Sequence, residues 1–170
     1  MTRPATLIVC KSVHHHSTWQ LAECLAEVLA ADVVEPEAVT SERVSRYDLI
    51  GFGSGVYYGR MHPALLEVLR CLARSTEGRG GGSVAAFVFS TSGLPLFSRL
   101  WHWPLRARLA REAVPVIGEF ACRGFDSWGP LFLVGGLNRH HPDARDLEQA
   151  RQFARRLLAQ WESVSPSQAA

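Results

Sequence analysis

Short apolar runs rich in β-branched residues alternate along the chain with longer segments of helical period, and this alternation limits the possible folds more than any single motif. "ATLIVC" at 5–10 and "SVAAFVFS" at 83–90 are almost unbroken by polar residues. A strand of that kind is covered on both faces, as inside a parallel sheet with helices on either side. "DVVE" at 32–35, "YDLIGFGS" at 47–54 and "AVPVIGEFAC" at 113–122 supply three further strands. Leu21, Leu25, Val28 and Leu29 predict a helix over 17–31, opened by a capping box of Ser17 and Gln20. "PALLEVLRCLA" opens on Pro63, a residue suited to the first turn. A basic helix lies within 98–112, started or kinked by Pro104. The stripe Leu147, Ala150, Phe153, Leu157, Trp161 predicts a last helix over 143–161. "EGRGGGS" at 77–83 reads as a connector, and 123–142 receives no element. Strand and helix thus alternate about five times, which predicts an α/β fold: a three-layer, doubly wound, five-stranded parallel sheet.

With 170 residues, 47% of them hydrophobic, the chain suits one domain over 1–161 followed by a flexible tail over 162–170. A formal net charge of +2 is too small to imply nucleic acid as a partner. No stretch approaches the roughly 18–20 apolar residues of a transmembrane segment. The N-terminus has too short an apolar core for a secretion signal, so a cytoplasmic protein is expected. Cys10, Cys24, Cys71 and Cys122 are widely spaced and read as buried free thiols.

Doubly wound sheets bind ligands beyond the carboxyl ends of their strands. Three such ends carry unusual residues here. "KSVHHHST" at 11–18 gathers Ser12, His14, His15, His16, Ser17 and Thr18 around a helix N-terminus, where free N–H groups and the dipole favour an anion such as phosphate. Adjacent histidines in a tight loop cannot all reach one metal, and no Cys or carboxylate cluster accompanies them, so no metal is assigned. A plain turn capped by Ser17 is the alternative. "GSGVYYGRMH" combines Gly53, Gly55 and Gly59, which admit a flat ligand, with Tyr57 and Tyr58, which would stack on it or pack on a helix. "STSG", Ser90 to Gly93, offers hydroxyls and amides.

Together "VCKSVHHHST", "YDLIGFGSGVYYGRMHPALL", "AFVFSTSG" and "CRGFDSWGP…VGGLNRHHPDARDLEQARQFA" resemble a flavodoxin-family protein in order and spacing from about Leu7 to Leu158. The resemblance implies a flavodoxin-like fold of strand order 2-1-3-4-5 with FMN held non-covalently. It places the phosphate against Ser12, His14, His15, His16, Ser17 and Thr18. The flavin ring then lies between Ser54, Gly55, Val56, Tyr57, Tyr58 and Gly59 on one side and Ser90, Thr91, Ser92 and Gly93 on the other. Two features depart from the family: His16 stands where its loops carry glycine, as in TxTGxT or HHGNT, and the chain is slightly basic where carrier flavodoxins are acidic.

The function so implied is electron transfer through FMN to a redox partner protein or a small-molecule acceptor. The alternatives are an FMN-dependent reductase or oxidase of a quinone- or tetrapyrrole-type substrate, and a flavin-free interaction module. No Ser-His-Asp order or paired carboxylates point to hydrolysis, and no catalytic acid or base is assigned. "SRLWHWPLRARLARE" would serve as a substrate rim, or as an acidic-partner or membrane-surface patch through Arg99, Arg106, Arg108, Arg111, Trp101 and Trp103. Leu100, Leu105 and Leu109 suffice, however, for an ordinary helix packed on the sheet, the reading adopted. "RHHPD" at 139–143 reads as a turn and N-cap for the last helix.

Overall fold

The computed structural model describes residues 3–13, 17–76, 84–93, 95–124 and 141–164. Strands β1 (Thr6–Lys11), β2 (Asp32–Val34), β3 (Leu49–Tyr57), β5 (Ala85–Ser92) and β6 (Val116–Arg123) form a parallel sheet in the order β2-β1-β3-β5-β6, and the two-residue β4 (Arg60–Met61) folds back antiparallel on β3. Counting the parallel strands alone, this is the predicted 2-1-3-4-5. Helices α1 (Ser17–Leu29) and α5 (Ala144–Val164) cover one face, and α3 (Ala64–Thr76) and α4 (Ser98–Arg111) cover the other. Between β2 and β3 the chain makes only a 3-10 turn (Pro36–Ala38) and the four-residue α2 (Ser41–Val44), capped by the Thr40 hydroxyl. These two pieces are too short for a 3.6-residue period to reveal them in sequence.

The two cores follow from the period-2 alternation of the strands. On the α1/α5 side Ile8, Cys10, Phe87 and Phe89 meet Leu21, Leu25 and Leu29 of α1 and Ala150, Phe153, Leu157 and Trp161 of α5, the stripe read from the sequence. On the other side Leu7, Val9, Ile50, Phe52 and Val88 meet Leu65, Leu69 and Leu72 of α3 and Leu105 and Leu109 of α4. Leu100, expected to pack with them, is instead exposed. Cys10, Cys24 and Cys122 are buried and Cys71 half-buried, all as free thiols. Burial pushes the Cys10 thiol up to about 12, so it is inert at neutral pH.

Glycines on β3 decide how tightly the first core closes. Gly51, Gly53 and Gly55 alternate on one face, and the first two receive rings from β5. A β-carbon at Gly51 would stand 2.3 Å from Phe87 Cζ, and one at Gly53 only 2.0 Å from Phe89 Cζ. Both rings are fully buried. Gly118 on β6 does the same for Leu157, 2.5 Å from its would-be β-carbon. Added bulk in a closed core costs about 1–3 kcal/mol. Gly53→Ala should therefore lower unfolding stability by roughly that amount, and Phe89→Leu in the same chain should recover part of it. A double-mutant cycle by denaturant unfolding checks this; strictly additive losses would mean that ring and glycine do not share one space.

Candidate functional site

The carboxyl ends of β1, β3 and β5 lie side by side, with Lys11 paired to Ser54, Ser54 to Ser90, and Gly55 to Thr91. The three loops singled out from sequence therefore leave the sheet from one edge.

At the first loop, Ser17 is the first residue of α1. Its hydroxyl does not close the predicted capping box but donates to the His141 carbonyl at 3.4 Å. Thr18 is buried, its Oγ1 2.7 Å from Oγ1 of Thr91. One hydrogen serves that bond, so the pair retains a second O–H that can donate elsewhere. Ser12 follows β1 directly, and its Oγ is buried without a hydrogen-bond partner. Lys11, the nearest cation in sequence, turns to Glu37 at 2.7 Å and Glu35 at 3.5 Å. The hydrogen bond with Glu37 raises the Lys11 ammonium above its ordinary range and lowers Glu37. His14, His15 and His16 lie outside the described residues.

The second loop is a hairpin. β3 continues through Gly55, Val56 and Tyr57, which were read as loop, and turns at Tyr58 and Gly59 into β4. Both turn residues have positive φ, 51° and 72°, as a two-residue hairpin turn with right-handed twist requires. Tyrosine is uncommon in that conformation, and its ring stands in solvent. The Tyr57 ring folds back over Gly55, where a β-carbon would lie 2.7 Å from the phenol oxygen. That oxygen accepts the Val13 N–H at 3.1 Å and so ties the hairpin to the first loop. Ser54 is fully buried; its Oγ accepts the His62 N–H at 2.9 Å and donates to the Gly55 carbonyl at 2.6 Å. Ser54 thus braces the hairpin base and does not present its hydroxyl to a ligand.

At the third loop Ser90, Thr91 and Ser92 belong to β5, and only Gly93 lies beyond it. Thr91 faces α1, whereas Ser90 and Ser92 face α4. Ser92 Oγ is buried and, like Ser12 Oγ, lacks a partner. Gly124 closes in from β6: its N–H donates to the Ser92 carbonyl at 3.0 Å, and a β-carbon there would lie 2.8 Å from Thr91 Cβ. Spacing alone did not single out Gly124, because its role depends on the β5–β6 pairing.

Ser90 takes part in a network that the sequence did not disclose. Its Oγ lies 2.8 Å from Nε2 of His102, whose Nδ1 lies 2.9 Å from Oε2 of Glu119, and Arg106 reaches the other Glu119 oxygen at 3.2 Å. The order resembles a nucleophile, base and acid, but Ser90 and His102 are fully buried, which leaves no path for a substrate to the hydroxyl. The network joins α4 to β5 and β6. His141, Asp143 and Asp146 also approach one another. Their carboxylates form the cap of α5, with the Asp146 N–H donating to Asp143 and the Asp143 N–H to Asp146, as "RHHPD" suggested.

A family model for the flavodoxin domain matches residues 7–77, which hold the first two of these loops. The uncharacterized protein MJ0298 of Methanocaldococcus jannaschii is 36% identical over 152 residues, covering 89% of this chain and 97% of its own. The chain belongs to the flavodoxin family. Among solved structures, a flavodoxin from the domain Archaea superposes with a TM-score of 0.67 at 12% identity, covering 93% of this chain and 99% of its own. A WrbA-like flavodoxin from Agrobacterium tumefaciens gives 0.66 at 14% identity, covering 94% and 98%. At such identities the likeness is one of fold.

Burial holds the His102 imidazole below its ordinary value against the upward pull of Glu119. His62 is lowered too, again chiefly by burial. The unfolded chain thus takes up these protons first, near pH 6.5, so stability is complete above that pH and falls as acid is added. The midpoint of urea unfolding should drop between pH 7 and 5, and His102→Gln should flatten the slope. An unchanged slope in that variant would place the acid sensitivity elsewhere.

Proposed function

We propose that the chain binds FMN non-covalently at the edge formed by β1, β3 and β5 and passes electrons to a protein partner or a small-molecule acceptor. The observation that carries this reading is the pair of buried, unpartnered hydroxyls, Ser12 Oγ and Ser92 Oγ, on the first and third of the converging strand ends. A buried hydroxyl without a partner costs about 1–3 kcal/mol, and a polar ligand removes that cost. FMN supplies the redox chemistry when bound.

In this reading Ser12, the spare hydroxyl hydrogen of the Thr18–Thr91 pair and the free N–H groups at the N-terminus of α1 receive the phosphate, while the Ser17 hydroxyl stays bound to the His141 carbonyl. His14, His15 and His16 stand in the same stretch and add cationic charge when protonated. Lys11 is held by Glu35 and Glu37 and takes no part. The ring is framed by the backbone of Gly55, Val56, Tyr58 and Gly59 and by Thr91, Ser92 and Gly93. Ser54 and Ser90 act behind it, fixing the hairpin and α4 through bonds already formed. Tyr57 covers Gly55, and its hydroxyl accepts from the loop that serves the phosphate, so it links the two halves of the site.

Titration with FMN should quench flavin fluorescence at micromolar protein and give a yellow complex; a colourless, non-quenching protein would refute the reading. Ser12→Ala should weaken FMN by about 1.5–3 kcal/mol and leave riboflavin nearly unchanged, since a hydrogen bond to a charged group is of that size. Ser92→Ala should weaken both ligands alike. Replacing His14, His15 and His16 together by Asn should widen the loss of FMN affinity at pH 6 relative to pH 8, because a phosphate dianion favours the imidazolium. An equal loss at both pH values would assign the histidines to a turn.

A further inference from the structure

Of the six large apolar side chains that stand exposed among the described residues, four fall between 96 and 103: Leu96, Phe97, Leu100 and Trp103. They belong to the 3-10 turn Pro95–Phe97 and to α4. The helix carries two apolar stripes. His102, Leu105 and Leu109 face the sheet and are buried. Leu100, Trp103, Ala107 and Ala110 recur at i, i+3, i+7 and i+10 on the opposite side, and Leu96 continues that line. At 3.6 residues per turn Arg99 and Arg106 border the outer stripe on one side, and Arg108 and Arg111 border it on the other.

We infer that this outer face of α4 is a docking surface for an anionic lipid membrane. Charge complementarity is the first argument. Residues 95–111 hold four arginines and no carboxylate, in a chain whose net charge is only +2. Arg106 is paired with Glu119, but Arg99, Arg108 and Arg111 are exposed, with no carboxylate within salt-bridge distance among the described residues. Three positive charges are thus held beside the apolar stripe, where lipid phosphates would neutralise them.

Shape is the second argument. Leu96 on the 3-10 turn is 88% exposed and Leu100 on α4 71%. Projecting Leu, Phe and Trp tips enter the headgroup boundary without needing complementary pockets, while arginine stems lie along the apolar layer with their guanidinium groups outside it. A second copy of the chain fits less well, because an isologous contact would set the arginines of one copy against those of the other. The patch also adjoins the candidate site, since the Trp101 indole lies against the hairpin, its Nε1 3.6 Å from where a β-carbon of Gly59 would stand. The inference is independent of the flavin reading, because vesicle binding is measured on the chain without added cofactor.

The test is co-sedimentation of the full chain with vesicles of phosphatidylcholine alone and of phosphatidylcholine mixed equally with phosphatidylglycerol, at low and high salt. Binding to the anionic vesicles alone, weakening with salt, is expected. Replacing Leu96 and Leu100 together by Ser should reduce partitioning roughly tenfold, since burial of these side chains sets binding strength. Replacing Arg99, Arg108 and Arg111 by Gln should abolish the salt-sensitive part. Circular dichroism and thermal unfolding establish that both variants remain folded, as exposed positions allow. Absence of wild-type partitioning, or equal partitioning of wild type and the Leu variant, would overturn the inference. So would concentration-dependent dimers by light scattering that the Leu variant abolishes, which assign the face to a second copy. Retention on immobilised polyglutamate without vesicle binding would assign it to an acidic protein.

Discussion

The approach of β5 aromatic rings to β3 glycines is the constraint on which the rest of the molecule depends. Phe87 and Phe89 occupy the space that side chains at Gly51 and Gly53 would fill, so the sheet surface is level enough for α1 and α5 to reach it. The same device continues one step further along β3. At Gly55 the ring comes from Tyr57 of the strand itself, and its hydroxyl takes the Val13 N–H. Core packing and the geometry of the candidate site therefore share one row of glycines.

At that edge the polar side chains divide into two groups. Ser17, Ser54, Ser90, Thr18 and Thr91 are engaged in bonds that fasten the segment before α5 to α1, close the hairpin, hold α4, and join α1 to β5. The hydroxyl oxygens of Ser12 and Ser92 are buried and, among the described residues, unengaged. Among the described residues the other buried hydroxyls find partners, so two exceptions, at the ends of β1 and β5 on either side of β3, favour a ligand over a packing flaw. Roles assigned from loop membership alone would have treated Ser54 and Ser92 alike, and hydrogen bonding separates them.

The parallel sheet and the last helix were legible because continuous apolar strands and a five-residue stripe on one helix face carry strong periodic signals, whereas the strand order came only with the family resemblance. The hairpin was not. "GSGVYYG" reads as loop because glycine is a poor strand former, yet here glycine is required by the ring beside it, a tertiary reason invisible to local pattern. The capping box at Ser17 was misread for a similar reason: the His141 carbonyl that receives its hydroxyl comes from the far end of the chain. The turn and four-residue helix between β2 and β3 left too few residues for any period. Among the candidate site residues, the turn at Tyr58 and Gly59 was legible from glycine chemistry, while the division of hydroxyls into engaged and unengaged depended on pairings between distant strands.

The reading of α4 as an ordinary packed helix assumed that Leu100, Leu105 and Leu109 share a face. At 100° per residue Leu105 and Leu109 do share one, and Leu100 falls on the opposite side. The rotation of the helix is fixed by His102, which must meet Ser90 and Glu119 at once, and this demand on an imidazole is more exacting than the placement of any leucine. Once His102 faces the sheet, Leu105 and Leu109 follow it inward and Leu100 and Trp103 are carried outward. A helix with apolar residues on two opposite sides shows little amphipathic contrast, which is why its pattern looked unremarkable in sequence. The buried polar network therefore has a consequence on the far side of the helix: it determines which residues α4 presents to its surroundings.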